Sequence, residues 1–230
     1  MITAQPIQRR HVHLNAGVAN WEDTMGSRYL FLTRHGEALP DESALTDAGS
    51  RQAALLGDRL KQVPFDAIHH GPLARAEQTA KLVADHLGDV PTHVSDAAGD
   101  YLPYCPGRAE LPADSAGVLL SFLKEFTILE RQRGAKLLKE ATARFTGPAD
   151  GEQDRYELLV THNYLAGWLV NQAQEAPPWR WLALNHANAA LSVIRYTPGQ
   201  VPSLLVFNDM GHLPPDLRWT GFPGEFRTLA

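Results

Sequence analysis

Apolar residues in this chain come in short runs separated by amphipathic stretches, and that alternation is the signature of a layered α/β protein. Tyr29-Leu30-Phe31-Leu32-Thr33 reads as a strand, as do 65–69, 92–95, 157–161, 190–195 and 204–208. Between them, Ala48, Gln52, Leu55, Leu56 and Leu60 share one face of a helix over 46–61, with Thr46 as its N-cap. Further helices are predicted over 73–87, over 113–145 as two pieces broken near Arg133-Gly134, and over 163–172. The stretch 96–112 is rich in Gly, Pro and Asp and reads as an irregular loop over the site. The β-α-β-α order predicts a three-layer α/β/α fold with a mainly parallel central sheet. One domain spans 29–230, preceded by an extension over 1–28 with Trp21 and Met25 as its docking residues.

Composition narrows the chemistry. With 230 residues, 44% of them apolar, the chain can bury a sizeable core. Its 26 acidic and 21 basic residues leave a formal charge of -5, so no basic field gathers nucleic acid and any bound anion must be held by a few placed residues. The single cysteine, Cys105, excludes an internal disulfide and a cysteine-based zinc cluster. No run reaches the ~18 apolar residues of a membrane span, and 1–28 does not read as a signal peptide. A soluble cytoplasmic protein without nucleic-acid or membrane partners is expected, and a homodimer is left open. His69-His70 and His11-Val12-His13 lack the carboxylate and spacing of a metal site, so no metal or other cofactor is expected.

The first strand closes on Thr33-Arg34-His35-Gly36, the fourth of these runs ends at Thr161-His162, and Arg75 falls in the first turn of a helix. In an open parallel sheet such positions converge on the carboxyl rim, where ligands bind. Two guanidiniums with backbone amides nearby make a pocket for a tetrahedral dianion. An imidazole held among cations resists protonation and stays nucleophilic near neutral pH.

These residues resemble the histidine phosphatase superfamily, founded on the phosphoglycerate mutases. Its Arg-His-Gly matches Arg34-His35-Gly36, and its Leu-Thr-x-x-Gly-x-x-Gln-Ala matches the segment from Leu45 to Ala53. Its Arg-Ala-x-Gln-Thr-Ala matches Arg75-Ala76-Glu77-Gln78-Thr79-Ala80, and its second histidine matches His162. The resemblance runs in order from Tyr29 to about Phe207. It implies phosphoryl transfer to His35, with Arg34, Arg75 and His162 holding the equatorial oxygens and a loop carboxylic acid protonating the leaving oxygen. Asp100 is the expected acid and Glu110 the alternate.

Three departures bear on substrate. The mutase pattern after Arg-His-Gly-Glu is replaced by Ala38-Leu39-Pro40-Asp41, where a negative Asp41 opposes phosphate unless the loop turns it away. His70-Gly71 stands in place of a serine pair, and Asn163 in place of a glycine, where its amide is an added donor toward phosphate. The expected activity is a metal-independent phosphomonoesterase acting through phospho-His35 on a small phosphorylated metabolite. The alternatives are a phosphoglycerate-type mutase, a protein phosphohistidine or phosphotyrosine phosphatase, and a silent phosphate-ligand binder.

Overall fold

A computed structural model describes residues 25–222, so the extension over 1–28 falls almost entirely outside the described residues. Six strands form one sheet: β1 (Arg28–Arg34), β2 (Ala67–His70), β3 (Thr92–Val94), β4 (Arg155–Thr161), β5 (Leu191–Tyr196) and β6 (Ser203–Asp209). Their order is β3-β2-β4-β1-β5-β6. The first four in that order run parallel, β5 reverses against β1, and β6 pairs antiparallel to β5. The sheet is therefore mixed, with β5 alone pointing the other way.

Strands β1 and β4 form the centre because both faces of each must be covered. Leu30, Leu32, Leu158, Leu159 and Val160 are all inaccessible to solvent. Leu30, Leu32 and Leu159 pack with Leu137, Ala141 and Phe145 of α4 (Ile128–Phe145) and with Leu165 and Leu169 of α5 (Asn163–Ala173). Leu158, Val160 and Ile68 face the other way, onto Leu56 and Leu60 of α1 (Asp47–Leu60) and Ala76, Ala80 and Val83 of α2 (Ala74–Ala84). The result is the expected three layers. A smaller cluster joins Leu123 of α3 (Ala116–Lys124) to Leu102, Trp168 and Trp181.

The strand-to-strand register places the site. Arg34 pairs with Thr161, so β1 and β4 end level and the next residues, His35 and His162, leave adjacent strands at the same height. The His35 amide continues the ladder by donating to the Thr161 carbonyl at 3.0 Å.

Thr46 caps α1 as expected, its hydroxyl accepting from the Gly49 amide at 2.9 Å. Two expected boundaries move. Strand β2 begins at Ala67, opposite Glu157 of β4, while Phe65 precedes it as a core side chain. The helical break falls at 125–127, because Thr127 and Glu130 form a reciprocal capping box that starts α4 anew. Gly134 lies inside α4, where a Cβ would collide with the Leu102 carbonyl, so glycine there permits close packing and does not end the helix.

Candidate active site

The loop after β1 is shaped by paired glycines. A Cβ on Gly36 would strike the Gly49 carbonyl, and one on Gly49 the Glu37 carbonyl, so loop and helix pass at backbone contact. Around this contact the remaining motif residues act as fasteners. The Gly36 amide donates to Thr79 Oγ1 at 3.0 Å, the Leu45 amide to Gln78 Oε1 at 2.8 Å and the Glu37 amide to Gln52 Oε1 at 2.8 Å. Gln52 Nε2 reaches on to the Leu217 carbonyl and Thr220 Oγ1. Asn188 Nδ2 donates to the His35 carbonyl at 2.9 Å. The backbone around His35 is thus held by side chains of α1, α2 and Asn188.

The imidazole of His35 is 5% exposed. Its Nδ1 lies 2.7 Å from the Gly36 carbonyl, an acceptor only, so Nδ1 carries the proton and donates. Its Nε2 accepts from Arg75 Nε at 3.1 Å and is the unprotonated nitrogen. Burial, then Arg34 and Arg75, drive the His35 pKa down to about 3, against the opposing pull of the Gly36 carbonyl. The ring is neutral at any physiological pH.

His162 stands beside it, with ring centroids 5.1 Å apart. Burial and then the neighbouring His35, Arg75 and Arg34 push its pKa down to about 2. Neither of its ring nitrogens has a hydrogen-bond partner among the described residues. Such buried, unspent nitrogens are costly unless a ligand uses them. Gly71 makes room, since a Cβ there would come within 3.1 Å of His162 Nε2.

Arg34 is fixed by bonds from Nη1 to the carbonyls of His186 and Gly221, each at 3.0 Å. Arg75, 3% exposed, projects from the first turn of α2. Its Nη2 meets Asp100 Oδ2 at 2.9 Å, and the same carboxylate oxygen lies 3.6 Å from His162 Nδ1. Desolvation raises the Asp100 pKa, Arg75 pulls against it and Glu42 adds to the rise; the net direction is upward. Arg34, His35, Arg75, Asp100 and His162 are therefore brought together around one space.

Two expected residues take other parts. Glu110 is exposed and spends its carboxylate on the Tyr104 hydroxyl at 2.6 Å and the Gly107 amide at 2.7 Å, which hold its pKa down and exclude it as the acid. Asn163 lines the cavity, but its Oδ1 accepts from the His186 amide at 2.8 Å and its Nδ2 donates to Asn185 at 2.9 Å. Its amide braces the 185–186 segment, spending the oxygen and one of its two N–H donors there. His186 itself is fully buried against Phe207 and is not among the residues lining the cavity.

One carboxylate was missed. Asp41 does turn away, its Oδ1 accepting from the Ser43 amide and hydroxyl, but the same turn carries Glu42 inward. Glu42 adopts a positive φ of 59° and sets Oε2 3.2 Å from Arg75 Nη2. The only signal for this was the turn-rich composition of 37–45.

The space so formed has a volume of about 410 Å³ and is lined by these five residues, Glu42, Asn163, Asn185 and several apolar and aromatic side chains. The model of the histidine phosphatase superfamily (branch 1) matches residues 30–210. The chain is 30% identical over 198 residues to the mitochondrial serine/threonine-protein phosphatase Pgam5 of Caenorhabditis briggsae, covering 83% of this chain and 66% of that one. This chain spans about two thirds of the length of the curated relatives it matches. Among solved structures, a putative alpha-ribazole-5'-P phosphatase from Escherichia coli superposes with a TM-score of 0.58 at 21% identity, over 79% of this chain and 96% of that one. Phosphoserine phosphatase of Entamoeba histolytica, with phosphoserine bound, gives 0.57 at 21% identity, over 81% and 100%. Motifs, fold and family model agree: the chain belongs to the histidine phosphatase superfamily, branch 1.

Proposed function

We propose that this chain is a metal-independent phosphomonoesterase in which Nε2 of His35 takes the phosphoryl group from a small phosphorylated metabolite. The observation that carries the reading is the state of that nitrogen: it is unprotonated because Nδ1–H is committed to Gly36, and two arginines converge on it. In the first step Nε2 bonds to phosphorus as the bond to the leaving oxygen breaks, and the Asp100 carboxyl passes its proton to that oxygen. In the second, Asp100 takes a proton from water, whose oxygen bonds to phosphorus as the phosphorus–nitrogen bond breaks. Arg34, Arg75 and His162 stabilise charge on the equatorial oxygens, the place a metal ion fills in other phosphoryl-transfer sites. Arg75 must first exchange His35 and its carboxylate partners for phosphate.

The reading is tested by p-nitrophenyl phosphate turnover with EDTA present and by rapid acid-free quenching of labelled substrate. Unchanged turnover in EDTA and a base-stable, acid-labile phosphoprotein are expected; loss of activity on chelation overturns it. A second reading, action on phosphoserine or phosphothreonine in proteins, draws on the names of the relatives at 27–30% identity. A phosphopeptide panel run beside phosphorylated metabolites separates the two by catalytic efficiency.

A further inference from the structure

Beyond the charged and histidine side chains, and apart from Asn163 and Asn185, which hold each other, the side chains lining the cavity are apolar or aromatic. Leu119 and Phe122 face it from α3, Tyr164 from the first turn of α5, and Leu182 and Leu184 from the segment that follows Trp181. The aromatic rings support one another: Phe122 and Tyr164 meet edge to face with centroids 6.0 Å apart, and Tyr164 packs the same way on buried Trp181 at 5.4 Å. Leu119, Phe122, Tyr164, Leu182 and Leu184 are each partly accessible, so the surface they present is available to a ligand.

Charge on this side is equally one-sided. Among the described lining residues the only cations are Arg34 and Arg75, which face the phosphoryl position, and the only other charges are the carboxylates of Glu42 and Asp100. A leaving group that carried a second anion would meet carboxylates and hydrocarbon. One that carried an alkyl or aryl group would bury it.

We infer that this site selects phosphate monoesters of uncharged apolar, and best aromatic, alcohols, with the leaving group seated on Leu119, Phe122, Tyr164, Leu182 and Leu184 and anionic leaving groups turned away by Glu42. The inference rests on the phosphomonoesterase reading for its chemistry, but the subsite is defined by binding. Each methylene buried there is worth about fourfold in affinity. An adjoining hollow that shares Glu42, Arg75, Asp100 and Tyr164, but not His35 or His162, is lined by Glu130 and Arg133, and Arg133 offers the competing route for an anionic tail.

The test uses the whole chain and three non-hydrolysable phosphonates, measured by calorimetry: ethylphosphonate, 2-phenylethylphosphonate and 2-carboxyethylphosphonate. The phenyl compound is expected to bind at least about tenfold tighter than the ethyl compound, and the carboxylate compound more weakly than the ethyl. In Phe122→Ala the phenyl-to-ethyl ratio is expected to fall severalfold, and Leu119→Ser provides the same readout should the first variant not fold. Equal affinities, or tighter binding of the carboxylate compound by way of Arg133, overturn the inference. Failure of p-nitrophenyl phosphate turnover with the phenyl preference intact would instead strike the phosphomonoesterase reading alone.

Discussion

The two ends of β1 carry arginine–histidine–carboxylate clusters built from the same residue types and put to opposite uses. At the amino end, Glu157 is 3% exposed and sits at the centre, its oxygens meeting Arg28 Nη1 at 2.6 Å, Arg155 Nε at 3.0 Å and His69 Nε2 at 3.3 Å. At the carboxyl end, Arg34, Arg75 and His162 surround a space, and the carboxylates Asp100 and Glu42 stand at its edge, with side chains 34% and 66% exposed. One cluster contains its anion; the other is shaped to receive one. What separates a structural ion cluster from a ligand site is therefore where the negative charge sits, not which residues are present.

The sharpest break of this symmetry is His35→Ala. Removing a nucleophile commonly costs about 10⁴-fold or more in kcat, and that loss is expected here in the folded enzyme, with stability followed separately because the ring also donates from Nδ1 to the Gly36 carbonyl. Turnover surviving within tenfold of the parent would show that the carboxyl-end cluster does not work through this imidazole.

The mirror experiment is Glu157→Gln. It strips the charge from the centre of the amino-end cluster and leaves Arg28, 5% exposed, short of its partner. Breaking a buried pair of this kind costs about 3 kcal/mol, expected as a lower urea midpoint with kcat/KM of the folded enzyme unaltered. A stable but inactive variant would contradict the division of labour between the two ends.

Asp100→Asn probes the edge carboxylate. A poor leaving group needs a proton and a good one does not, so kcat on an alkyl phosphate is expected to fall about 10²-fold while p-nitrophenyl phosphate loses far less in the phosphorylation step. Equal losses on both substrates would assign Asp100 to holding Arg75 rather than to proton transfer. The upward direction of its pKa, set first by desolvation, also places the alkaline limb of the alkyl phosphate profile above the ordinary range of an aspartate.

The same contrast explains what could be read before the fold was known. Arg34, His35, Arg75 and His162 were legible because each follows a strongly apolar strand or opens a helix, positions whose location in a parallel sheet is dictated by topology. Glu42 was not, because its approach to Arg75 depends on a positive φ in an exposed turn that carries no periodicity. The bracing role of Asn163 was not legible because the groups it holds, Asn185 and the His186 amide, lie 22 and 23 residues away in a segment without a regular element. Intrinsic propensity points to Arg133-Gly134 as the helical break, whereas Thr127 and Glu130 hold the local signal and packing on Leu102 explains the glycine.

The smallest effect separates the two ends by acid. His35, His162 and His186 all cluster at the carboxyl end with pKa values pushed well below 6.5, His186 to about 3 through burial first and Arg34 second. A histidine whose folded pKa is depressed binds its proton more readily when unfolded, so its contribution is present above about pH 6.5 and is lost progressively as pH falls toward the folded value. Each such ring costs about 1.4 kcal/mol per pH unit through that window. His186 touches no substrate space and has neither ring nitrogen partnered among the described residues, packing instead edge-on to Phe207 at 5.2 Å. His186→Phe is therefore expected to flatten the fall in unfolding free energy between pH 6.5 and 5.5 by about 1 kcal/mol, read by urea titration at each pH. An unchanged slope would mean that the ring takes up its proton in the folded state, and acid sensitivity would then have to enter through His35 and His162 alone.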